Sequence, residues 1–249
     1  MFIHNINPVL LSIGEIEIRY YGLIYAFSFI LTYLFIKKLS KERDIKFKKD
    51  DLDLFIFHLA LFVVIFARLF YVVFYNLGFY LSNPLQILAI WHGGMSFHGG
   101  LVGAFLAAFY FCKKRNINFL KFADILTIPA SLALFLGRIG NFLNGELYGR
   151  ITNLPWAVKF PNIDGFRHPS QVYEAFKNLF IFIVLYNFKG KNKPDGYLFA
   201  LFLILYSIFR FLIEFVREPE IYFGFLTMGQ LLTIPLFLIG IIMLRKIKK

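Results

Sequence analysis

Apolar residues in this chain gather into runs of about twenty, separated by short polar stretches, and nothing else constrains the fold as strongly. At ~1.5 Å per residue, such a run reaches across the ~30 Å hydrocarbon core of a bilayer, so these segments read as spans rather than as core helices of a soluble protein. Seven candidates are 20–36, 52–77, 94–112, 122–142, 173–188, 197–215 and 226–244. Composition agrees: 59% of the 249 residues are hydrophobic and 17% are charged, where a soluble domain has roughly a quarter charged. The expected fold class is all-α, a polytopic membrane protein of about seven transmembrane helices forming a single integral membrane domain over residues 1–249.

An odd number of spans puts the termini on opposite sides, and the loops after the first, third and fifth spans then share a side with the C-terminus. Those segments, 37–49, 113–121, 189–193 and 245–249, hold 18 of the 27 Lys and Arg residues, against five (Arg19, Arg150, Lys159, Arg167 and Arg217) on the other side. Basic residues accumulate in cytoplasmic loops, so the N-terminus is expected outside and the C-terminus in the cytoplasm. The net charge of +12 is accounted for in the same way; there is no basic stripe with base-stacking aromatics, and nucleic acid is not an expected partner. The longest loop, 143–171, falls outside and contains Pro155, Trp156, Pro161 and Gly165, which predicts a small ordered extracytoplasmic cap. Residues 1–18 lack the basic start and apolar middle of a cleaved signal, so none is expected to be removed. A lone Cys112 permits no internal disulfide.

Charge inside a bilayer is costly, so the depth of each polar residue carries information. On this topology His98 lies about one turn below the outer surface, and Arg138, Asn141, Asn144 and Glu146 arrive at the same level at the end of the fourth span. Arg210 and Glu214 lie near the outer end of the sixth span, Arg68 far along the second, and Tyr20 and Tyr21 at the start of the first. The inner half offers little beyond His58 and Asp124. This asymmetry favours a site open to the outer leaflet over a conducting path.

The segment Gly137 to Gly149 reads G-R-I-G-N-F-L-N-G-E-L-Y-G. It is accompanied, in order, by Tyr20-Tyr21-Gly22, His92-Gly-Gly-Met-Ser-Phe-His98-Gly-Gly, His168-Pro169-Ser170-Gln171, Arg210-Phe-Leu-Ile-Glu214 and Met228-Gly229-Gln230. Together these resemble the prolipoprotein diacylglyceryl transferase family over nearly the whole chain. The resemblance implies transfer of the diacylglyceryl group of phosphatidylglycerol to the thiol of a lipobox cysteine in a prolipoprotein signal peptide, with release of glycerol phosphate. It also implies a multi-pass protein of the bacterial cytoplasmic (inner) membrane, among membrane lipids, with its active site toward the extracytoplasmic face.

That chemistry calls for a thiolate and a stabilised phosphate leaving group. A thiol is mostly protonated at neutral pH, and a histidine is a suitable base for it; His98 is the candidate, with Glu146 or the phosphate itself as alternative acceptors. Guanidinium forks bind phosphate bidentately and remain charged in a low-dielectric site, which assigns Arg138 and Arg210 to catalysis and head-group binding. Tyr21, Asn141, Asn144, Glu146 and Gly149 complete the expected substrate site, and Glu214, four residues after Arg210, is placed to hold it. The reaction as written needs no metal or other cofactor.

Plainer readings stand beside these. His98 alone reads as a hydrogen-bonded structural histidine, and Arg138 and Arg210 as an ion-pair network with Glu146 and Glu214. Gly93, Gly94, Gly99, Gly100, Gly103, Gly137 and Gly140 read as close-approach positions between helices. Arg68 and Lys177 read as structural or lipid-head contacts, and Pro169 and Ser170 as the start of the fifth helix. The competing functions are a transporter and a lipid-binding scaffold without turnover.

Overall fold

Backbone N–H and C=O groups in hydrocarbon must be paired within the chain, and the apolar runs meet that requirement by coiling into long helices. The computed structural model describes residues 1–14, 16–48, 50–190, 192–219 and 222–247. Of the basic residues counted for orientation, Lys49, Lys191, Lys248 and Lys249 lie outside the described residues. The long helices are α1 (Tyr20–Glu42), α2 (Asp51–Tyr75), α4 (Phe97–Arg115), α5 (Phe119–Leu143), α6 (Ser170–Asn187), α7 (Tyr197–Ile213) and α8 (Met228–Ile247), with a short α3 (Leu77–Ser82) after α2. Among the described residues, α1, α2, α5 and α8 are long and apolar enough to cross a membrane, and α7 is a shorter apolar helix. Outside the long helices lie three two-stranded ribbons: β1 (Phe2–Ile3) pairs in parallel with β4 (Val158–Lys159), β2 (Val9–Ile13) antiparallel with β3 (Ile16–Arg19), and β5 (Tyr222–Phe223) antiparallel with β6 (Leu226–Thr227).

The helix ends differ from the expected spans where side chains intervene. The third span was expected from residue 94, yet α4 starts at Phe97 because the Ser96 hydroxyl caps it, accepting from the Gly99 N–H at 3.4 Å. The carbonyls of Gly93 and Gly94 turn instead to the Arg68 guanidinium, at 2.6 and 3.0 Å. The second span, expected through residue 77, breaks at Asn76.

Contacts divide the chain into two compact units, Met1–Arg43 with Ala123–Lys249, and Asp44–Phe122. In the second of these, α2 packs on α4, and a Cβ at Gly99 or Gly103 would run into the carbonyl oxygens of Phe66 and Phe62. The close-approach reading therefore holds for both glycines. Arg115 on α4 reaches Asp51 at the start of α2 at 2.6 Å. The rings of Phe55, Phe111 and Phe122 meet at centroid distances of 4.9 to 5.3 Å. Arg68 is buried and donates to the carbonyls of Gln86, Ile87, Ala89, Gly93 and Gly94, with the Tyr80 ring 5.0 Å away, so it organises the segment leading into α4.

In the larger unit α6 is inside out by the standard of a soluble protein. Gln171, Glu174, Lys177 and Asn178 are buried, while Phe176 (66% exposed), Phe180 and Ile183 face outward. That is the arrangement of a helix in lipid, and the chain is a polytopic membrane protein. The connection between α5 and α6, residues 144–169, carries isolated bridges of Gly149 to Arg217, Ile151 to Arg167 and Val158 to Arg167. At the end where α1 finishes and α5 begins, Arg43 (4% exposed) donates to Asp124 (0%) at 2.6 Å and to the carbonyls of Gly190 and Lys193 at 3.1 and 2.8 Å. Asp124 also accepts from the backbone N–H groups of Gly196 and Phe199, each at 2.9 Å. Removing one member of such a buried pair strands the other, so Arg43→Ala should cost about 3–5 kcal/mol, read as a lowered unfolding midpoint in detergent.

Candidate active site

The polar centre of the larger unit is assembled around one carboxylate. Glu174, on the second turn of α6, has no exposed surface. Its Oε2 lies 2.5 Å from Lys177 Nζ and 3.9 Å from Arg138 Nε on α5. Its Oε1 accepts a short hydrogen bond from Arg210 Nη1 on α7 and lies 4.0 Å from Arg217 Nη1. Glu214, which caps the end of α7, is the second carboxylate: its Oε2 lies 2.9 Å from Arg210 Nη2 and 3.5 Å from Arg217 Nε. The spacing of Arg210 and Glu214 along one helix face thus makes the ion pair anticipated for it.

A capping box holds Glu214 from below. Thr227 and Gln230 bond reciprocally at the start of α8: Gln230 N–H donates to Thr227 Oγ1 at 3.2 Å and Thr227 N–H to Gln230 Oε1 at 3.1 Å. The Thr227 hydroxyl then donates to Glu214 Oε1 at 3.1 Å.

Charge does not balance in this cluster. Among the described residues, the ion pairs of Arg138, Lys177, Arg210 and Arg217 here are with two carboxylates, Glu174 and Glu214, leaving two positive charges in excess. Nor are the donors used up. Among the described residues Nε and Nη1 of Arg217 are buried without a hydrogen bond, and the side-chain hydrogen bond of Arg138 is a long one, 3.5 Å, to Asn141 Oδ1. Burial, and then repulsion from Arg210 and Arg138, pull the Arg217 guanidinium down to about 10, below the ordinary arginine range. Crowded cations with spare N–H groups, shielded from water, are a place to hold an oxyanion.

Beside this centre stands an amide and carboxylate group. Asn141 Nδ2 and Asn144 Nδ2 donate to Glu146 Oε1 at 2.7 and 3.4 Å, and Gln171 Nε2 donates to the Glu146 carbonyl at 2.6 Å. Tyr21, on the first turn of α1, lays its ring against Gly140, and its hydroxyl bonds Tyr25 at 3.0 Å. Gly149 is buried and works through its backbone: its N–H donates to the His168 carbonyl at 2.8 Å and its bridge to Arg217 fixes where that arginine starts. Arg138, Asn141, Asn144, Glu146, Gly149, Arg210, Glu214 and Tyr21 therefore all belong to one unit. His98 belongs to Asp44–Phe122, on the first turn of α4, exposed and edge-on to Phe97 with no hydrogen bond to its ring among the described residues.

The sequence reading does not single out Glu174, takes Lys177 as a structural or lipid-head contact, and counts Arg217 only as loop charge. A usable signal was present, since Glu174 and Lys177 are charged residues three apart inside an apolar run. Thr227 is likewise legible, three residues before Gln230 at the head of α8.

Long apolar helices with their charge turned inward define a multi-pass membrane protein built around a buried cationic centre. The sequence profile of the family described as prolipoprotein diacylglyceryl transferase matches residues 8–246. A protein of Geobacter sulfurreducens named phosphatidylglycerol–prolipoprotein diacylglyceryl transferase is 45% identical over 245 residues, covering 96% of this chain and 94% of its own length. Proteins of the same name in Nitratidesulfovibrio vulgaris and Rickettsia felis are 41% and 44% identical, covering 97% and 95% of this chain and 94% and 95% of their own. The chain belongs to the prolipoprotein diacylglyceryl transferase family.

Gly229, at the start of α8, is where the cluster leaves least room: a Cβ there would lie 2.5 Å from the Glu214 carboxyl carbon, which Arg210 and Thr227 hold in place. Gly229→Ala should destabilise the protein by about 1–3 kcal/mol through overpacking and weaken its activity, measured by thermal unfolding and product formation on the same preparation.

Proposed function

We propose that Arg138, Arg210 and Arg217 hold the phosphate of phosphatidylglycerol while its diacylglyceryl group passes to a lipobox cysteine. The chain is a transferase acting in the first step of lipoprotein maturation. The observation that carries the phosphate assignment is the excess of cations over carboxylates around Glu174 and Glu214.

The cysteine sulfur attacks the glyceryl carbon that bears the phosphate ester. A C–S bond forms, the C–O bond breaks, and its electron pair remains on the phosphate oxygen. The phosphodiester monoanion thereby becomes a phosphomonoester, and charge grows where the guanidinium groups lie. Interactions that strengthen as charge develops lower the barrier, and more so in a water-poor site. The thiol proton goes to a base. His98, exposed and without a hydrogen bond among the described residues, is the candidate, with Glu146 or the phosphate itself as the alternatives. Asn141 and Glu146 are assigned to the glycerol hydroxyls, with Tyr21 and Asn144 completing the substrate site.

The seven long helices are taken as seven spans in the bacterial cytoplasmic membrane, with the N-terminus and the 143–171 cap outside and the C-terminus cytoplasmic. Both substrates are then reached laterally from the outer leaflet. With Cys112→Ala as background, a cysteine placed at Asn162 should react with a membrane-impermeant maleimide on intact cells and one placed at Lys48 should not; the reverse pattern inverts the topology.

Purified protein in phosphatidylglycerol liposomes should convert a lipobox peptide to its thioether, followed by mass spectrometry. Arg138→Lys keeps the charge but loses the fork, and should lower the rate by about 10²-fold. His98→Ala should lose most of the transfer and regain part of it as pH rises toward about 8.5, where the peptide thiol ionises unaided. Unaltered transfer by His98→Ala removes it as the base.

A further inference from the structure

Lys177 sits about 10 Å along α6 from its first residue, deep in an apolar run. It is 5% exposed, with its ammonium 2.5 Å from Glu174 Oε2 and 4.1 Å from the centroid of the Tyr206 ring. An unpaired ammonium is disfavoured there, so the pairing with Glu174 is obligatory. What matters for the reaction is which oxygen it takes. Oε1 of Glu174 is engaged by Arg210, and Oε2 by Lys177. Arg138 points its Nε at that same Oε2 but stays 3.9 Å away.

A guanidinium next to a free carboxylate closes on it as a two-bond fork, using up the donors that would bind phosphate. An ammonium is a compact point charge that satisfies one oxygen and leaves the neighbouring fork unengaged. We propose that Lys177 is a positioning residue for the transfer: by saturating Oε2 of Glu174 it keeps Arg138 off that carboxylate and available to the lipid phosphate. This rests on the reading of Arg138 as a phosphate ligand. Lys177 itself touches no substrate.

The test uses full-length protein in liposomes, with phosphatidylglycerol varied and a lipobox peptide at saturation. Lys177→Met keeps the bulk of the side chain and removes its charge. It should raise the apparent KM for the lipid about tenfold and lower kcat as well, the pattern produced when a group that binds the phosphate and stabilises its growing charge is withdrawn. Adding Glu174→Gln in the same chain removes the carboxylate on which Arg138 would collapse, yet leaves an amide oxygen for Arg210. The double variant should recover most of the lost affinity, which a merely structural role for Lys177 would not allow.

An unchanged KM in Lys177→Met, a fall in kcat alone, or a double variant no better than the single one overturns the proposal. If the single variant does not fold, the double variant, which also lacks the buried carboxylate that Lys177 neutralises, decides. Folded with a KM within about threefold of the parent, it supports the role; folded with a raised KM, or unfolded, it overturns it. Arg138→Lys is measured in parallel. If that change leaves both kcat and the KM unaltered, the phosphate reading fails; if it lowers kcat/KM while Lys177→Met leaves the KM unchanged, the Lys177 role alone fails.

Discussion

A carboxylate without exposed surface, in a bundle whose outer face is hydrocarbon, stays ionised only when cations surround it. Glu174 is in that position, and three helices are tied together by the demand: Lys177 on its own helix, Arg138 on α5 and Arg210 on α7. The need runs both ways, because a guanidinium at this depth is as costly as the carboxylate. Neither partner can be withdrawn without stranding the other. The larger unit is thereby held together by electrostatics at its centre and by apolar packing around it.

The remaining local features keep this pairing in register. Glu214 extends it by one turn of α7, and the Thr227–Gln230 capping box locks Glu214 by spending a single hydroxyl twice, as acceptor for a helix N–H and donor to the carboxylate. Gly149 and Arg150 pin the backbone at Val216 and Arg217, so Arg217 enters the cluster from a fixed point. At the opposite end of α1, Arg43 and Asp124 repeat the same device with backbone groups of the α6–α7 connection and the first turn of α7 recruited as extra partners. A membrane protein has little hydrophobic gain left for joining helices, and buried polar contacts of this kind take up that role.

A charge surplus also gives the site a direction. On the proposed reading, the two cations in excess among the described residues attract a phosphate and favour the extra negative charge that appears on it as the ester bond breaks. On the proposed reading, binding and rate enhancement come from the same groups, with the low dielectric of the interior amplifying both. The carboxylates are as necessary as the arginines in such an arrangement. They let four cations be packed together, and they set how many donors each has left.

Long apolar runs and the segment from Gly137 to Gly149 were enough, read as sequence, to establish a polytopic helical membrane protein of this family and to put Arg138 and Arg210 in one polar cluster. Such features are local: span length follows from rise per residue, and a motif lies in consecutive letters. Glu174, Lys177 and Arg217 escaped because their meaning lies in distances between helices far apart in the chain, which no periodicity encodes. Gly149 shows the same limit, since consecutive letters do not show the backbone segments of His168 and Val216 that cross at it. The apolar pattern alone decided that helices form, because lipid leaves the backbone no other partner. Only the tertiary structure decided which carboxylate oxygen each cation takes, because that competition is settled within a few ångströms.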